Sequence, residues 1–415
     1  MTANTYKQKR GVGFYIGRIL AYALLIGFGF IIIFPFIYMM MTSFKSSTDV
    51  FRYPPKVLPY TQATATFQGR ELPAYSFTID GRERTLVNTG ERVQVASLTA
   101  PENINVDEPR QSKIDVAVPL EEARETGETI TLQDGSGADE EFPLYEVTVD
   151  GQTLTLPLAF RGAQNIFVDP NDESVRVVAA ERTAEKQEFV QFQTSNYNAF
   201  TSLNLNRALV NTALVTFLVV AGQLITSLFG GYAFSRVQFK GRDTLFLAYL
   251  GSIMIPFVVL IIPMYRLMVV LDWQNKLVSL ILPWIFTAYG TFLMRQFFIS
   301  IPKEIEEAAM LDGASRFRIL WQLFVPLSTP AIATLAIFSF LYAWNSFLWP
   351  LISINQGNEM NHVMTLALIK LRNIAADRPN IVLTGAAIAI LPPMIVFILA
   401  QRYFIEGISG SAVKG

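Results

Sequence analysis

Long apolar runs separated by short charged segments are the dominant pattern of this 415-residue chain. A run of about 20 apolar residues can cross the hydrocarbon core of a membrane as a helix. Only helices and closed barrels satisfy every backbone hydrogen bond there. The pattern therefore predicts an α-helical membrane protein with six transmembrane helices. The six runs are Ile19–Met41, Ala208–Ser235, Thr244–Tyr265, Leu277–Met294, Ile319–Asn358 and Asn380–Gln401. Within the fifth run, two prolines predict a helix from near Ser328 to near Ile354.

One large polar segment interrupts this pattern between the first and second runs. It contains two similar stretches, Phe77–Val87 and Val147–Pro157, in which β-branched residues alternate around an Asp-Gly pair. Asp-Gly is a strong hairpin signal because glycine adopts a positive φ at little cost. We predict an inserted, mostly β domain at 60–187. The acidic, glycine-bearing stretch Glu121–Glu141 is expected to be a loop or a mobile segment.

The first run has one alternative interpretation, a cleaved secretory signal peptide. The apolar part of such a peptide is about 7–15 residues long and ends at a small-residue cleavage site. Phe36, Tyr38 and three methionines stand where that site would be. The sequence therefore favours an uncleaved spanning helix.

Basic residues in the short loops predict how the helices are oriented. The side that holds both termini is richer in Lys and Arg, and the positive-inside rule places such a side in the cytoplasm. The inserted β domain is then extracytoplasmic. The predicted organisation is a cytoplasmic N-terminus at 1–18, a first transmembrane helix at 19–42, the insert at 60–187, a helical core at 188–405 with a cytoplasmic loop at 300–326, and a cytoplasmic tail at 406–415.

Composition excludes several classes of function. Charged residues are 16% of the chain, against about 25% in globular proteins. The net charge of -1 argues against nucleic-acid binding. The chain has no cysteine, which excludes thiolate metal sites, disulfides and cysteine nucleophiles. Its single histidine, His362, excludes a multi-histidine metal site. These absences argue against an enzyme.

Four amide side chains, Asn211, Gln223, Asn345 and Gln401, lie in or near the apolar runs, and the first three are the candidates considered further. Such groups either line a solute pathway or form interhelical hydrogen bonds worth roughly 0.6 kcal/mol, and their lack of charge favours the second role. No ionisable residue lies near a helix centre, whereas ion-coupled carriers usually need one there. Any transport would therefore draw its energy from elsewhere.

Small residues and prolines predict how the helices pack and bend. Gly230 and Gly231 are expected to permit close helix contact, as is the Gly385–Ile390 stretch. Prolines free backbone carbonyls and tend to bend helices. Bends are expected at Pro256 and Pro263, and at Pro392 and Pro393.

The charged segment Ser300–Pro326 carries the most specific local chemistry. Ser300 can cap a helix, and acidic residues in the first turn suit the positive end of its dipole. Asp312-Gly313 is expected to end that helix, and a second short helix from Ser315 to Phe324 is expected to follow, ended by Pro326. A helix lying on lipid headgroups is the alternative, although anionic headgroups would repel the acidic turn.

Glu307-Ala308-Ala309, followed by Gly313, Leu323 and Val325-Pro326, resembles the EAA loop of ABC importer permeases. The wider sequence is similar to inner-membrane permease subunits of the carbohydrate-uptake, binding-protein-dependent (MalG-like) family. The other resembling segments are Asn196–Thr212, Gly231–Asp243, Ile262–Ile285, Tyr342–Leu351 and Arg402–Gly415.

This resemblance implies the six-helix ABC type I importer (MetI-like) fold in a bacterial or archaeal plasma membrane. It implies a non-catalytic subunit that forms half of a pathway for a sugar, oligosaccharide or related polar solute. The implied partners are a second homologous permease subunit, two cytoplasmic ATPase subunits and an extracytoplasmic solute-binding protein. ATP and Mg would be used by the ATPase subunits, with no cofactor bound by this chain.

Carried over to this sequence, the resemblance implies two sets of ATPase contacts. The coupling contacts are Glu307, Ala308, Ala309, Asp312 and Gly313, and the tail contacts are Ser409, Gly410 and Gly415. The β insert departs from the family, whose first external loop is usually short. It is expected to contact the binding protein, cap the pathway or attach to the envelope, or to lack a functional partner. The alternative function is a membrane-anchored sensor or scaffold with an external β ligand-binding domain, for which no cytoplasmic segment is long enough to signal.

Overall fold

The structure is a computed structural model that describes residues 12–79, 81–149, 151–355 and 357–412. The chain divides into a helical unit, formed by residues up to Pro59 and from Phe192 onward, and a β unit at Tyr60–Gln191.

The helical unit contains fifteen α-helices within the described residues. They are α1 Val12–Thr42, α2 Ser47–Val50, α3 Asn198–Ser202, α4 Leu205–Arg236, α5 Arg242–Gly251, α6 Phe257–Val270, α7 Val278–Ile281, α8 Ala288–Ser300, α9 Lys303–Leu311, α10 Arg316–Ile319, α11 Val325–Leu327, α12 Thr329–Trp344, α13 Leu348–Ser353, α14 Met364–Ile374 and α15 Pro379–Ala412. By length and composition, four helices can cross a membrane unbroken, at Phe14–Thr42, Leu205–Arg236, Val278–Ser300 and Pro379–Gln401. Two bent pairs of helices bring the number to six if each pair is one span.

The third predicted helix is broken rather than bent. Its two halves, Arg242–Met254 and Phe257–Val270, meet at an angle of 99°. Pro256 occupies the break, because it has no N–H to continue the helical hydrogen bonds and it pushes Ile255 into an extended conformation (ψ 115°). Pro263, by contrast, lies inside α6 without ending it.

The fifth predicted helix is shorter than expected. A single helix from near Ser328 to near Ile354 is wrong, because α12 ends at Trp344 and α13 begins again at Leu348. Asn345 ends α12, and its side-chain Nδ2 donates to the Leu341 carbonyl oxygen at 2.9 Å. The Asn345 N–H donates to the same oxygen at 3.2 Å, and the ladder cannot continue at Ser346 because Pro350 has no N–H.

Helix α4 is at the centre of the packing in the helical unit. A Cβ added to Gly231 would lie 2.7 Å from Met294 Cβ and 3.0 Å from the Arg295 backbone nitrogen. A Cβ added to Gly230 would lie 3.0 Å from Thr291 Cγ2. The predicted close approach at these two glycines is therefore confirmed, and its partner is α8.

The β unit consists of eleven strands in the described residues. They are β1 Tyr60–Gln62, β2 Thr64–Phe67, β3 Arg70–Ile79, β4 Arg82–Leu98, β5 Val116–Pro119, β6 Arg124–Gln133, β7 Asp139–Val149, β8 Gln152–Asp169, β9 Asp172–Ala179, β10 Glu185–Lys186 and β11 Glu188–Val190. β1 pairs only with β11, and the other nine form one sheet in the order β10-β3-β4-β8-β7-β6. Strand β2 joins this sheet at β3, β5 at β4 and β9 at β8.

The acidic stretch Glu121–Glu141 is not the loop that the sequence suggested. It contains β6 and the start of β7, which pair antiparallel, with Thr131 opposite Glu141. Phe142 is buried and packs with Ile104 and Ala159. One buried face is enough to hold a strand whose exposed face is acidic, which overrides the composition argument for disorder.

The helical unit closes around the point where the insert interrupts it. Asn196 Nδ2 donates to the backbone oxygens of Ser43 and Lys45, both at 2.8 Å. The Ser43 and Tyr197 hydroxyl oxygens lie 2.8 Å apart, and the Phe44 ring packs 5.1 Å from the Tyr197 ring. We call this group of five residues the neck. It holds the outgoing and returning segments together without using any residue of the β unit.

Replacing residues 60–191 by a short Gly-Ser linker is expected to leave the helical unit folded. All neck residues lie outside the deletion, and the cost of loop closure grows only slowly with loop length. The melting temperature of the detergent-solubilised protein should change by less than about 4 °C, which corresponds to roughly 1 kcal/mol. The same deletion combined with Asn196→Ala should melt lower, since it also removes two neck hydrogen bonds. Aggregation of the simple deletion variant would contradict this prediction.

Candidate functional site

The segment that follows α8 forms a short surface helix, α9. Pro302 precedes it at the N-cap position, and Glu304 and Glu306 stand in its first turn, near the positive end of the dipole. Ser300 does not cap this helix as predicted. It is the last residue of α8, and its Oγ donates back to the Phe297 carbonyl oxygen at 2.7 Å.

None of the nine residues of α9 is buried. Glu307 and Ala308 are exposed, and Leu311 is 90% exposed. Ala309 is half-buried and packs against the apolar core formed with Phe298 and Phe324. Of the predicted contact residues on α9, Glu307 and Ala308 face outward, whereas Ala309 faces the helical unit. Leu311, which sequence reasoning missed, adds a large apolar side chain to the exposed face.

The end of α9 is built around one glycine. Asp312 is the C-cap residue, and its N–H donates to the Ala308 carbonyl oxygen at 3.0 Å. Gly313 has φ +78°, in the left-handed region that favours glycine. Its N–H donates to the Met310 carbonyl oxygen, also at 3.0 Å. The side chain of Ser315 then caps α10 by accepting a hydrogen bond from Arg318 N at 3.3 Å.

The helix after Gly313 extends further than the sequence suggested. α10 continues through a π-helical turn, Leu320–Phe324, into α11. Pro326 lies in the first turn of α11, where a missing N–H is tolerated. The chain turns by 82° between Arg316–Leu327 and α12. The predicted end at Pro326 is therefore wrong, and the break falls at Ser328.

A polar cluster whose side chains are largely shielded from solvent joins α9 to the end of α4. Arg236 Nη1 lies 3.5 Å from Glu306 Oε2, and the two side chains are 5% and 12% exposed. The Tyr232 hydroxyl donates to Glu306 Oε1 at 3.0 Å. From the sequence, Glu306 is expected only to favour the helix dipole and Arg236 only to contribute to the positive side, and sequence reasoning missed their pairing and the contact with Tyr232.

Comparison with known proteins identifies the class of protein that has this arrangement. A family model described as "Binding-protein-dependent transport system inner membrane component" matches residues 224–410, which include α9 and the Arg236–Glu306 pair. The chain is 36% identical over 205 residues to "Arabinooligosaccharides transport system permease protein AraQ" of Halalkalibacterium halodurans, covering 49% of this chain and 73% of that relative. The chain belongs to this family. It is an inner-membrane permease of the ABC carbohydrate-importer type.

Two further similarities are found, one to a relative's sequence and one to a solved structure. The permease is 36% identical over 208 residues to "sn-glycerol-3-phosphate transport system permease protein UgpE" of Rhizobium meliloti, covering 50% of this chain and 73% of the relative. A crystal structure of a bacterial ABC transporter involved in import of the acidic polysaccharide alginate matches 52% of this chain and 81% of its own, with 25% identity and a TM-score of 0.47. The β unit lies outside the range that the family model matches.

The three amides predicted to line a pathway or to form packing hydrogen bonds have different surroundings in the permease. Asn211 is buried, and its Nδ2 donates to the carbonyl oxygens of Met360 and His362, both at 2.9 Å. Gln223 is also buried, donating to the Trp284 carbonyl oxygen at 2.8 Å and accepting from Ser339 Oγ at 2.5 Å. Both amides therefore have the interhelical bonding role. Asn345 is exposed at the break between α12 and α13.

The predicted tail contacts are described only in part. Ser409 and Gly410 lie in the last turns of α15. Gly415 lies outside the described residues.

Proposed function

We propose that this permease forms half of the pathway of an ATP-driven importer and is moved by an ATPase that binds the exposed face of α9. The observation that carries the proposal is a charged helix with no buried residue, which the bundle nevertheless holds through Glu306. Because α9 adds little to the core of the helical unit, most of its surface is available to bind a partner. The proposed contact surface consists of Glu307, Ala308, Leu311, Asp312 and Gly313.

The chemistry of this surface suits a cleft in another protein. Ala308 permits close approach, Leu311 supplies an apolar anchor, and Glu307 suits a basic group on the partner. Exposed large apolar side chains next to charges are typical of interaction sites. Ala309 supports the surface from within, since it packs on the permease's own core.

The wider arrangement that we propose has six spanning helices, both termini in the cytoplasm and the β unit outside. A second permease subunit completes the pathway, an extracytoplasmic binding protein delivers the solute, and the ATPase subunits bind ATP and Mg.

Ser409, Gly410 and Gly415 are proposed as tail contacts with the ATPase. The exposed Asn345 is the proposed pathway residue. The names of the two relatives, which transport arabinooligosaccharides and sn-glycerol-3-phosphate, support a sugar, an oligosaccharide or a related polar solute.

Glu307→Lys is expected to weaken binding of the ATPase without removing the permease from the membrane. Reversing one charge in an interface pair commonly costs about 2 kcal/mol or more. The measurement is the amount of ATPase subunit that co-purifies with the permease in mild detergent. Asp377→Lys is the control, since Asp377 is an exposed carboxylate outside α9. Equal co-purification of the wild type and both variants would contradict the assignment of Glu307. A permease that purifies alone would contradict the proposed function.

A further inference from the structure

We infer that Glu306 is the positioning residue through which movement of α9 reaches α4, with Arg236 and Tyr232 as its receiving groups. This inference rests on the proposed function, because the movement would come from a bound ATPase. It assigns different tasks to neighbouring glutamates. Glu307 faces the partner, whereas Glu306 faces the permease.

The attachment on the α9 side is narrow. Glu306 is the residue of α9 whose carboxylate is held by both Arg236 and Tyr232. Ala309 adds an apolar contact on the same face, but a methyl group slides over a surface more easily than a charge moves away from its partners. A buried ion pair resists separation because an unpaired charge is costly away from water. The Glu306 side chain is therefore the firmest non-covalent link between α9 and α4.

The attachment on the α4 side is rigid. Arg236 is the last residue of α4 and is held by more than Glu306. Its Nη2 donates to the carbonyl oxygens of Phe298 and Ile301, and its guanidinium lies 5.0 Å from the Phe324 ring centre. Such a side chain cannot swing to follow a moving carboxylate, so the end of α4 has to move with it.

The second receiving group lies one turn earlier on the same helix. Tyr232 is buried, and its ring packs edge-to-face with Phe324 at 5.2 Å and with Phe298 at 6.5 Å. Its hydroxyl donates to the other carboxylate oxygen of Glu306, at 3.0 Å. Because positions four apart lie on one helix face, Glu306 is attached to α4 at two points. Two attachments transmit rotation as well as translation.

Helix α4 can pass such a movement on to the rest of the bundle. At Gly231 the backbone of α4 packs directly against the backbone of α8. Further along, Gln223 is hydrogen-bonded to both the Trp284 carbonyl oxygen and Ser339 of α12. A displacement at the α9 end of α4 therefore reaches the helices around the proposed pathway through contiguous contacts.

The test is a cysteine reporter on α4 in the assembled transporter. The chain contains no cysteine of its own, so Leu218→Cys, at a position that is 38% exposed, introduces a single labelling site. The rate of maleimide modification is compared with and without ATP plus orthovanadate, in complexes purified with the ATPase. We expect the nucleotide to change this rate by about fivefold in the otherwise wild-type background, the lower end of typical coupling between distant sites.

Three variants in this background separate positioning from docking. Glu306→Gln should retain the co-purifying ATPase but lose most of the fivefold response. Glu304→Gln, the matched control on the exposed side of α9, should keep the full response. Tyr232→Phe keeps the packed ring and removes only the hydroxyl, so it should lose part of the response. Combining Tyr232→Phe with Glu306→Gln should remove the response that remains, since the amide oxygen left by Glu306→Gln can still accept the Tyr232 hydrogen bond that the second change deletes.

Each contrary outcome has a distinct meaning. Absence of the ATPase from the wild-type complex would overturn the proposed function, and this inference with it. Loss of the ATPase from the Glu306→Gln complex would make Glu306 a docking residue and overturn the positioning role. A full response in Glu306→Gln, or no response in the otherwise wild-type background, would overturn this inference while leaving the proposed function standing.

Discussion

Gly313→Pro is expected to abolish solute uptake while leaving the permease in the membrane. Gly313 has φ +78°, whereas proline fixes φ near -65°. Proline would also remove the N–H that bonds to the Met310 carbonyl oxygen at 3.0 Å. The chain would have to leave α9 in another direction, which would displace the exposed face of α9 from its partner. The loss of uptake should be at least tenfold, about 1.4 kcal/mol of coupling.

The matched controls are other substitutions of Gly313, which differ in how readily the new residue adopts a positive φ. No neighbouring atom lies within 4 Å of a Cβ built on Gly313. The positive φ is therefore the factor that limits which residues fit here, and crowding is not. Gly313→Asn should retain uptake, because Asn tolerates the left-handed region, and Gly313→Ala should lie between, at a cost of roughly 1–2 kcal/mol. The measurement is ATP-driven uptake of the solute that the wild-type transporter imports, into proteoliposomes of the assembled transporter with equal permease content. Wild-type uptake by the proline variant would contradict the proposed role of this turn.

The second large effect is expected from Gly231→Val, which should destabilise the helical unit itself. Even the first carbon of a side chain would lie 2.7 Å from Met294 Cβ and 3.1 Å from the Met294 carbonyl carbon. Backbone atoms cannot rotate away as a side-chain end can, so α4 and α8 would have to separate. Overpacking of this kind costs about 3 kcal/mol, which should lower the melting temperature in detergent by about 10 °C.

Gly251→Val provides the control for this substitution. Gly251 is also helical, as the last residue of α5, but no atom lies within 4 Å of its added Cβ. Its variant should melt within about 3 °C of the wild type, a difference of roughly 1 kcal/mol. Equal melting temperatures for the two variants would show that the contact between α4 and α8 is looser than the structure describes.

Apolar length was sufficient to predict where the long helices lie, because a membrane leaves the backbone few other choices. It was not sufficient to predict their breaks. Pro256 gave a local signal that the structure confirms as a break. The interruption after Trp344 also has a local signal, which sequence reasoning missed, because Pro350 has no N–H to donate to the Ser346 carbonyl oxygen and its ring crowds that oxygen. Burial of one strand face overrode the acidic composition of Glu121–Glu141.

The candidate site shows a similar division. The sequence is enough to place a turn at Gly313, because an Asp-Gly pair after a helical stretch favours a left-handed C-cap. It does not show that Glu306 faces inward and Glu307 outward. That difference depends on how α9 is rotated about its own axis. The rotation is set by contacts with residues more than 60 positions away, such as Arg236. Long-range packing of this kind leaves no periodic trace in the local sequence.

The neck at Asn196 has a consequence for how this protein can change over evolutionary time. A segment placed between Pro59 and Phe192 needs only to bring its two ends together, as β1 and β11 do by pairing Tyr60 with Val190. Its interior sequence is then free of constraints from the membrane helices. A whole domain can be gained, lost or exchanged at this point in one genetic event, and the insert can diverge faster than the transporter that carries it.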